Sequence, residues 1–235
     1  SAMADFSNSN YGWLAGRSPG PARSIVDRVD FSNDTGTTPA RGPLTESKSY
    51  ATGTGNGNYG YACGGQPEST YTSDVDRIDY SNDTPTASPK GSLTSARSGG
   101  GGVSAGDNGI PQYRLTISTP FAFGNNPTRS YPYAYFGSGN GNSVPSTTTT
   151  MDRIDYANDT ATPLIRGSMG TSAPSATQSY GETGNASYGY FVGGRLGSPT
   201  AAISTVSRLD YSNDNLSTSV RGPVSYTHLT LPTKA

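Results

Sequence analysis

Histidine, cysteine and tryptophan each occur only once in this chain of 235 residues. The single cysteine, Cys63, excludes an internal disulfide and a thiolate metal cluster, and its place in the apolar run 61–65 predicts a small buried side chain. The single histidine, His228, supplies neither a Ser-His-Asp triad nor the imidazole ligands of a copper oxidase. We therefore predict no catalytic residue, no metal site and no cofactor.

Charge and long apolar runs are also scarce. Charged residues make up 14% of the chain, with a net charge of -1. A nucleic-acid surface needs a basic patch, so we expect no nucleic-acid partner. No apolar run approaches the roughly 20 residues that span a membrane, so we expect a soluble chain without a membrane partner. The sequence is rich in glycine and tyrosine (31 and 16 residues), and tyrosines can build a β-sheet core from few aliphatic residues.

One frame of residues recurs four times. It reads acid or serine, arginine, aliphatic, aspartate, aromatic, small residue, asparagine, aspartate. A basic residue and a glycine follow thirteen residues after each arginine. Such fixed spacing marks a repeat protein. The frames span residues 27–34, 76–83, 152–159 and 207–214, and the basic-glycine pairs are Arg41-Gly42, Lys90-Gly91, Arg166-Gly167 and Arg221-Gly222.

An aromatic segment with glycines precedes each frame and predicts a strand that ends in a turn. The frame predicts a second strand, followed by an Asn-Asp turn. The stretch up to the basic-glycine pair predicts a third strand, and a Ser/Thr/Gly-rich segment such as residues 49–54 predicts a fourth. The aromatic segments are residues 11–16, 59–65, 133–137 and 188–194.

Four short antiparallel strands in about 50 residues are typical of a β-propeller blade. An aromatic strand ending in Gly-Gly, a strand ending in aspartate and an aromatic residue, and then a basic residue together resemble the kelch repeat. The resemblance covers residues 11–222. It departs from the kelch pattern in one respect, because Trp13 does not follow the turn. It implies an all-β fold, a β-propeller of four-stranded antiparallel blades.

The number of blades depends on the middle of the chain. Successive frame arginines are 49, 76 and 55 residues apart, so one gap is too long for a single repeat. Residues 112–118 resemble an eroded frame centred on Arg114, which gives five blades. Discounting that segment gives four blades with a long insertion. We favour five, because an unstructured loop of that length is unusual in a compact domain.

The two ends of the chain are predicted to be foreign to the domain. Residues 1–9 begin with Ser1-Ala2-Met3, which resembles the scar of a cleaved purification tag, and continue as a short lead. Residues 223–235 resemble a translated sequencing adapter. We expect one propeller domain over residues 10–222. We also expect residues 227–231 of the tail to pair beside the N-terminal aromatic strand and close the ring.

The frame arginines predict a network of ion pairs. A charge between packed blades needs a partner, and each copy of the frame carries acids of its own. We therefore favour a structural role, in which the pairs tie strands or blades together, over a ring of arginines that binds an anion. The predicted network comprises Arg28, Asp30, Arg77, Asp79, Arg153, Asp155, Arg208 and Asp210.

These features favour a non-enzymatic scaffold or binding module, a truncated part of a larger environmental microbial or viral protein, extracellular or virion-associated. The alternative is the non-catalytic remnant of a propeller hydrolase or lyase whose active site lay elsewhere. Glycans or protein surfaces suit the polar loops at residues 17–22, 66–72, 140–148 and 195–202. We expect a monomer if one chain closes the ring. If it does not, two copies can combine into a larger ring.

Overall fold

Strands make up nearly all the regular structure of the chain. The computed structural model describes residues 3–16, 21–104, 132–141, 149–169, 177–178, 181–185, 187–196 and 202–223. The helical content of these residues is one 3-10 turn, Tyr211–Asn213. None of the described segments forms a helix with the length and apolar character needed to cross a membrane.

The described strands form five antiparallel sheets, and the four larger ones follow one another along the chain as blades. Blade one contains β1 (Ala4–Ser7), β2 (Tyr11–Ala15) and β3 (Val26–Asp30). Blade two contains β4 (Thr52–Gly55), β5 (Tyr59–Cys63), β6 (Val75–Asp79) and β7 (Ser88–Pro89).

Blades three and four repeat the strand order of blade two, and short additional strands lie beside them. Between blades two and three lies β8 (Arg97–Ser98), which pairs with β11 (Asn140–Gly141). Blade three contains β9 (Gly101–Ser104), β10 (Tyr133–Gly137), β12 (Thr150–Asp155) and β13 (Leu164–Ser168). Blade four contains β15 (Gly181–Gly184), β16 (Tyr188–Leu196), β17 (Ala202–Asp210) and β18 (Ser219–Arg221), with β14 (Thr177–Gln178) also paired to β16.

Each blade places its Ser/Gly-containing strand innermost, then the aromatic strand, then the frame strand. The inner strand of each blade contacts the inner strand of the next, from β1 to β4, β9 and β15. The four sheets are therefore the blades of a β-propeller, and the predicted all-β class with antiparallel blades is confirmed. Blade one has three strands instead of four, because a single β-bridge between Asp27 and Ala40 takes the place of the outermost strand.

The preference for five blades is not supported, and the four-blade alternative describes the chain. Strands β9 and β10 pair directly, with Ser104 opposite Ala134. Residues 105–131 therefore separate two neighbouring strands of blade three and do not stand between two blades. The eroded frame around Arg114 lies outside the described residues. A count of sequence spacings shows that a gap is long but not which pair of strands it separates.

The N-terminal boundary also differs from the expectation. Strand β1 is the innermost strand of blade one, so residues Ala4–Ser7 belong to the propeller and not to the lead. Strand β2 pairs with β1 on one edge and with β3 on the other. Both edges of β2 are therefore occupied by described strands, and the predicted closing strand at residues 227–231 stays a prediction. Residues 224–235 themselves lie outside the described part of the chain.

The hydrophobic core lies between blades and forms three clusters, one at each interface from blade one to blade four. Aromatic rings join the blades. Trp13 of blade one stacks on Tyr80 of blade two with ring centroids 4.1 Å apart, and Tyr135 of blade three stacks on Tyr211 of blade four at 5.4 Å. Buried aromatic pairs contribute about 1 kcal/mol beyond the area that they bury. Cys63 is buried in the cluster between blades two and three.

Candidate functional site

Three of the four frame arginines form ion pairs that cross from one blade to the next. In each pair a guanidinium Nη1 atom contacts the aspartate that ends the following frame, and the nitrogen–oxygen distances are 2.7–3.0 Å. The arginine therefore finds its partner about 55 to 80 residues further along the chain, and not within its own frame. The pairs are Arg28–Asp83, Arg77–Asp159 and Arg153–Asp214.

Each of these aspartates also gathers two further groups from the preceding blade. Asp159, for example, accepts a hydrogen bond of 2.8 Å from the Tyr61 hydroxyl and lies 3.4 Å from Lys90 Nζ. Burial, followed by the Asp159 carboxylate, raises the pKa of Tyr61 well above its ordinary value, so the hydroxyl keeps the proton that it donates. We call each such set an inter-blade clasp. It consists of an aspartate, an aromatic hydrogen-bond donor, a frame arginine and a second cation. Its other two copies centre on Asp83, with Trp13, Arg28 and Arg41, and on Asp214, with Tyr135, Arg153 and Arg166.

The glycine of each basic-glycine pair belongs to the same junction. The amide of Gly91 donates a hydrogen bond of 2.8 Å to the Asp159 carbonyl oxygen, and Gly42 and Gly167 make the equivalent bonds to Asp83 and Asp214. A Cβ atom on Gly91 would lie 1.9 Å from the carbonyl oxygen of Ala161 in blade three. The recurring glycine therefore permits the backbones of two blades to approach closely.

The other half of the predicted network acts inside each blade. The Asp30 carboxylate accepts hydrogen bonds from the Ser32 amide and hydroxyl at 2.9 and 2.7 Å, and Asp79 and Asp210 bind Ser81 and Ser212 in the same way. Asp155 accepts from the amide of Ala157. These are turn-capping contacts of the kind that aspartate makes with the backbone two residues on. The bonds from Ser32 lower the pKa of Asp30.

Sequence reasoning missed a second, fully buried layer of ion pairs. Lys48 Nζ lies 3.0 Å from Asp76, and Arg97 Nη2 lies 2.6 Å from Asp152. Both aspartates open their frames. The sequence does contain a signal for this layer. Lys48 and Arg97 are 49 residues apart, which is the interval between the first two frame arginines, so the two cations occupy the same repeat position. The final frame has Ser207 in place of this aspartate.

A cleft of about 700 Å³ lies between the loops of blades one and two. Two of its walls come from the polar loops singled out in the sequence, at residues 21–22 and 67–70, and its third wall comes from the connection that leads into blade two. The described lining contains hydroxyl and carboxylate side chains but neither lysine nor arginine. The lining residues are Pro21, Ala22, Glu46, Ser47, Ser49, Pro67, Glu68, Ser69 and Thr70.

Glu46 has an unusual environment within this cleft. Its Oε1 atom is buried without a hydrogen-bond partner among the described residues, and the nearest cation, Lys48 Nζ, is 4.0 Å away. Burial, together with a hydrogen bond to Asp74, raises the pKa of Glu46. The Glu46 side chain as a whole is 36% exposed and lines the cleft, so an acid is available there to a ligand.

The inner strands carry two acids at one register position. Asp5 of β1 and Glu182 of β15 stand where β4 and β9 have Gly53 and Gly102. Burial of its carboxylate, followed by repulsion from Asp5, raises the pKa of Glu182 to about 7. The Glu182 side chain as a whole is exposed, so solvent screening keeps the effect on stability small.

Glu182 gives a pH prediction with a defined sign. A raised folded-state pKa favours the folded state while the group is protonated, so this contribution is complete below the ordinary glutamate pKa of 4.5 and is lost as the pH rises to about 7. We expect the free energy of unfolding of the wild type to fall across this window relative to that of Glu182→Gln. Denaturant titrations of both proteins at several pH values measure the difference. A constant difference would contradict the assigned pKa.

Comparison with known proteins bears on the fold alone. No protein-family model matches the chain, and no curated protein matches it. The solved structure of YjhT superposes with a TM-score of 0.66 over 96% of this chain, at 12% sequence identity. The shared fold is the β-propeller. This propeller spans 66% of the length of the YjhT chain.

Proposed function

We propose that the chain is a non-enzymatic, kelch-like propeller module that binds a neutral glycan in the cleft between blades one and two. The observation that carries the proposal is the position of this cleft. It lies between the described parts of the first two polar loops, residues 21–22 and 67–70, which differ in sequence between repeats and belong to blades that pack on each other. Loops on a rigid scaffold are a common location for binding residues.

The chemistry of the cleft favours sugars as ligands. Its volume of about 700 Å³ is suitable for a short oligosaccharide. The hydroxyls of Ser47, Ser69 and Thr70 and the carboxylates of Glu46 and Glu68 match the donors and acceptors of sugar hydroxyl groups. Because the described lining has carboxylates and no cation, an anionic glycan would be repelled.

A glycan titration with one variant and one matched control tests this proposal. We expect neutral oligosaccharides to shift the amide resonances of residues 46–49 and 67–70, and a sialylated oligosaccharide to shift them less. Glu46→Gln should weaken binding by about tenfold, the usual effect of losing a hydrogen bond to a charged group. Glu182→Gln, which changes an acid of the same type on an inner strand, should bind like the wild type.

Three results would contradict the proposal. If no neutral glycan binds, or if Glu46→Gln binds as tightly as the wild type, the cleft is not the site. If the bound glycan is cleaved during the titration, the non-enzymatic part of the proposal is wrong. Mass spectrometry of the recovered oligosaccharide separates these cases.

A further inference from the structure

We propose that Tyr50 is an aromatic platform at one end of the cleft between blades one and two, on which a ring of a bound sugar chain stacks. The ligand class is a neutral chain of pyranose rings with equatorial hydroxyl groups, such as β-1,4-linked glucose. This proposal rests on the glycan site proposed above and adds to it a residue outside the cleft lining. It requires a ligand longer than one sugar.

Tyr50 has a backbone conformation that is unfavourable for its side chain. Its φ angle is 55°, in the left-handed region, which is costly for a bulky residue. The equivalent residue in the connection that leads into blade three is Gly99, 49 residues further along the chain, with a φ angle of 62°. The two connections therefore share a turn in which glycine fits without strain. The turn itself gains nothing from a tyrosine side chain.

The packing of the fold makes little use of the Tyr50 ring. The residue is 44% exposed, and its side chain forms no hydrogen bond or ring contact with a described residue. Only its backbone is held, because the Gly99 amide donates a hydrogen bond of 2.9 Å to the Tyr50 carbonyl oxygen. The other described non-glycine residue with a positive φ angle, Ser138, is fully buried. Strained residues that packing does not explain cluster at ligand-binding sites.

Tyr50 continues one wall of the cleft. The preceding residue, Ser49, lines the cleft, and its backbone pairs with that of Gln66 in the second polar loop through hydrogen bonds of 3.0 and 2.7 Å. Tyr50 lies four residues after Glu46, so the Cα atoms of these two residues are at most about 14 Å apart. A sugar chain that hydrogen-bonds Glu46 can therefore extend over Tyr50.

The tyrosine ring supplies aromatic surface that the cleft lacks. Ligand sites usually combine apolar or aromatic surface with a few polar groups. The described lining of the cleft has hydroxyl and carboxylate groups but no aromatic residue. A pyranose ring with equatorial hydroxyls carries C–H groups on both faces and hydroxyls around its edge. One face can pack on the tyrosine ring while hydroxyls of the chain hydrogen-bond the cleft.

A comparison of ligand lengths in two Tyr50 variants tests the proposal. The probes are methyl β-D-glucoside and the β-1,4-linked glucose dimer and trimer, titrated while amide resonances are recorded. We expect the wild type to bind the trimer about fivefold more tightly than the monosaccharide, the effect of one aromatic contact. Tyr50→Gly should bind the monosaccharide like the wild type and lose the gain with length. Tyr50→Phe keeps the ring and should retain the gain.

Thermal unfolding separates a binding role of the ring from a structural one. Because glycine suits the left-handed turn, Tyr50→Gly should unfold at a temperature close to or above that of the wild type. The proposal is overturned if affinity does not rise with ligand length, if Tyr50→Gly keeps the rise, or if it unfolds well below the wild type. A wild type that binds other neutral glycans but none of these glucosides overturns this proposal alone. A wild type that binds no neutral glycan overturns the glycan site as well.

Discussion

Asp159→Ala is expected to lower the free energy of unfolding by about 3 to 5 kcal/mol, the range for removing one partner of a buried ion pair. Asp159 is 6% exposed, and its Oδ2 atom accepts hydrogen bonds from Tyr61 and Arg77. Without the carboxylate, the buried Tyr61 hydroxyl loses its acceptor, and Arg77 and Lys90 of blade two lose their shared anionic partner. Urea titration followed by tryptophan fluorescence, with Trp13 as the probe, measures the loss.

The repeat supplies a matched control for this prediction. Asp34 has the same frame position, but it is exposed and forms no ion pair with a described residue. Asp34→Ala should therefore change the free energy of unfolding by less than about 0.5 kcal/mol. Equal losses for the two substitutions would show that the aspartate stabilises its own turn and not the junction between blades.

Gly91→Ala is expected to destabilise the chain by about 3 kcal/mol, the upper part of the usual range for overpacking. The added methyl group would lie 1.9 Å from the Ala161 carbonyl oxygen. Neither residue can move away easily, because the backbone amides of Gly91 and Ala161 are both held by hydrogen bonds. The junction between blades two and three would have to open. Thermal unfolding and urea titration give two independent measures of the loss.

Gly222→Ala makes the same chemical change at the same repeat position. No atom of the described residues lies within 4 Å of the position where its Cβ would be built. We expect the stability of Gly222→Ala to equal that of the wild type within error. If Gly222→Ala were as destabilising as Gly91→Ala, the cause would be the local backbone conformation and not close contact between blades.

The sequence predicts the blade but not its junctions. The frame and its spacing identify the strands, and the Asn-Asp turns follow from residue type, because these are local properties of the chain. The partner of Arg77 is not local. Asp76, Asp79 and Asp83 are all close in sequence, yet the structure pairs Arg77 with Asp159 because the neighbouring surface belongs to the next blade.

Two other features depend on topology that spacing does not encode. The long gap before Arg153 lies between paired strands of blade three, and only the register of Ala134 with Ser104 shows this. The cleft around Glu46 forms where a connection and two loops from different blades meet. The polar loops themselves were visible in the sequence, but Glu46 lies outside them and has no repeated counterpart, since Ser95 occupies its position before blade three.

Amide hydrogen exchange of the glycines tests the central claim, that clasps and close backbone contacts join successive blades. The amides of Gly42, Gly91 and Gly167 donate to the following blade, so they should exchange only when a junction opens and should be among the slowest in the chain. Gly36 and Gly57, exposed turn residues whose amides bond to no described group, are internal controls and should exchange rapidly. If the three junction glycines exchanged as fast as Gly36 and Gly57, the junctions described here would not hold the blades together.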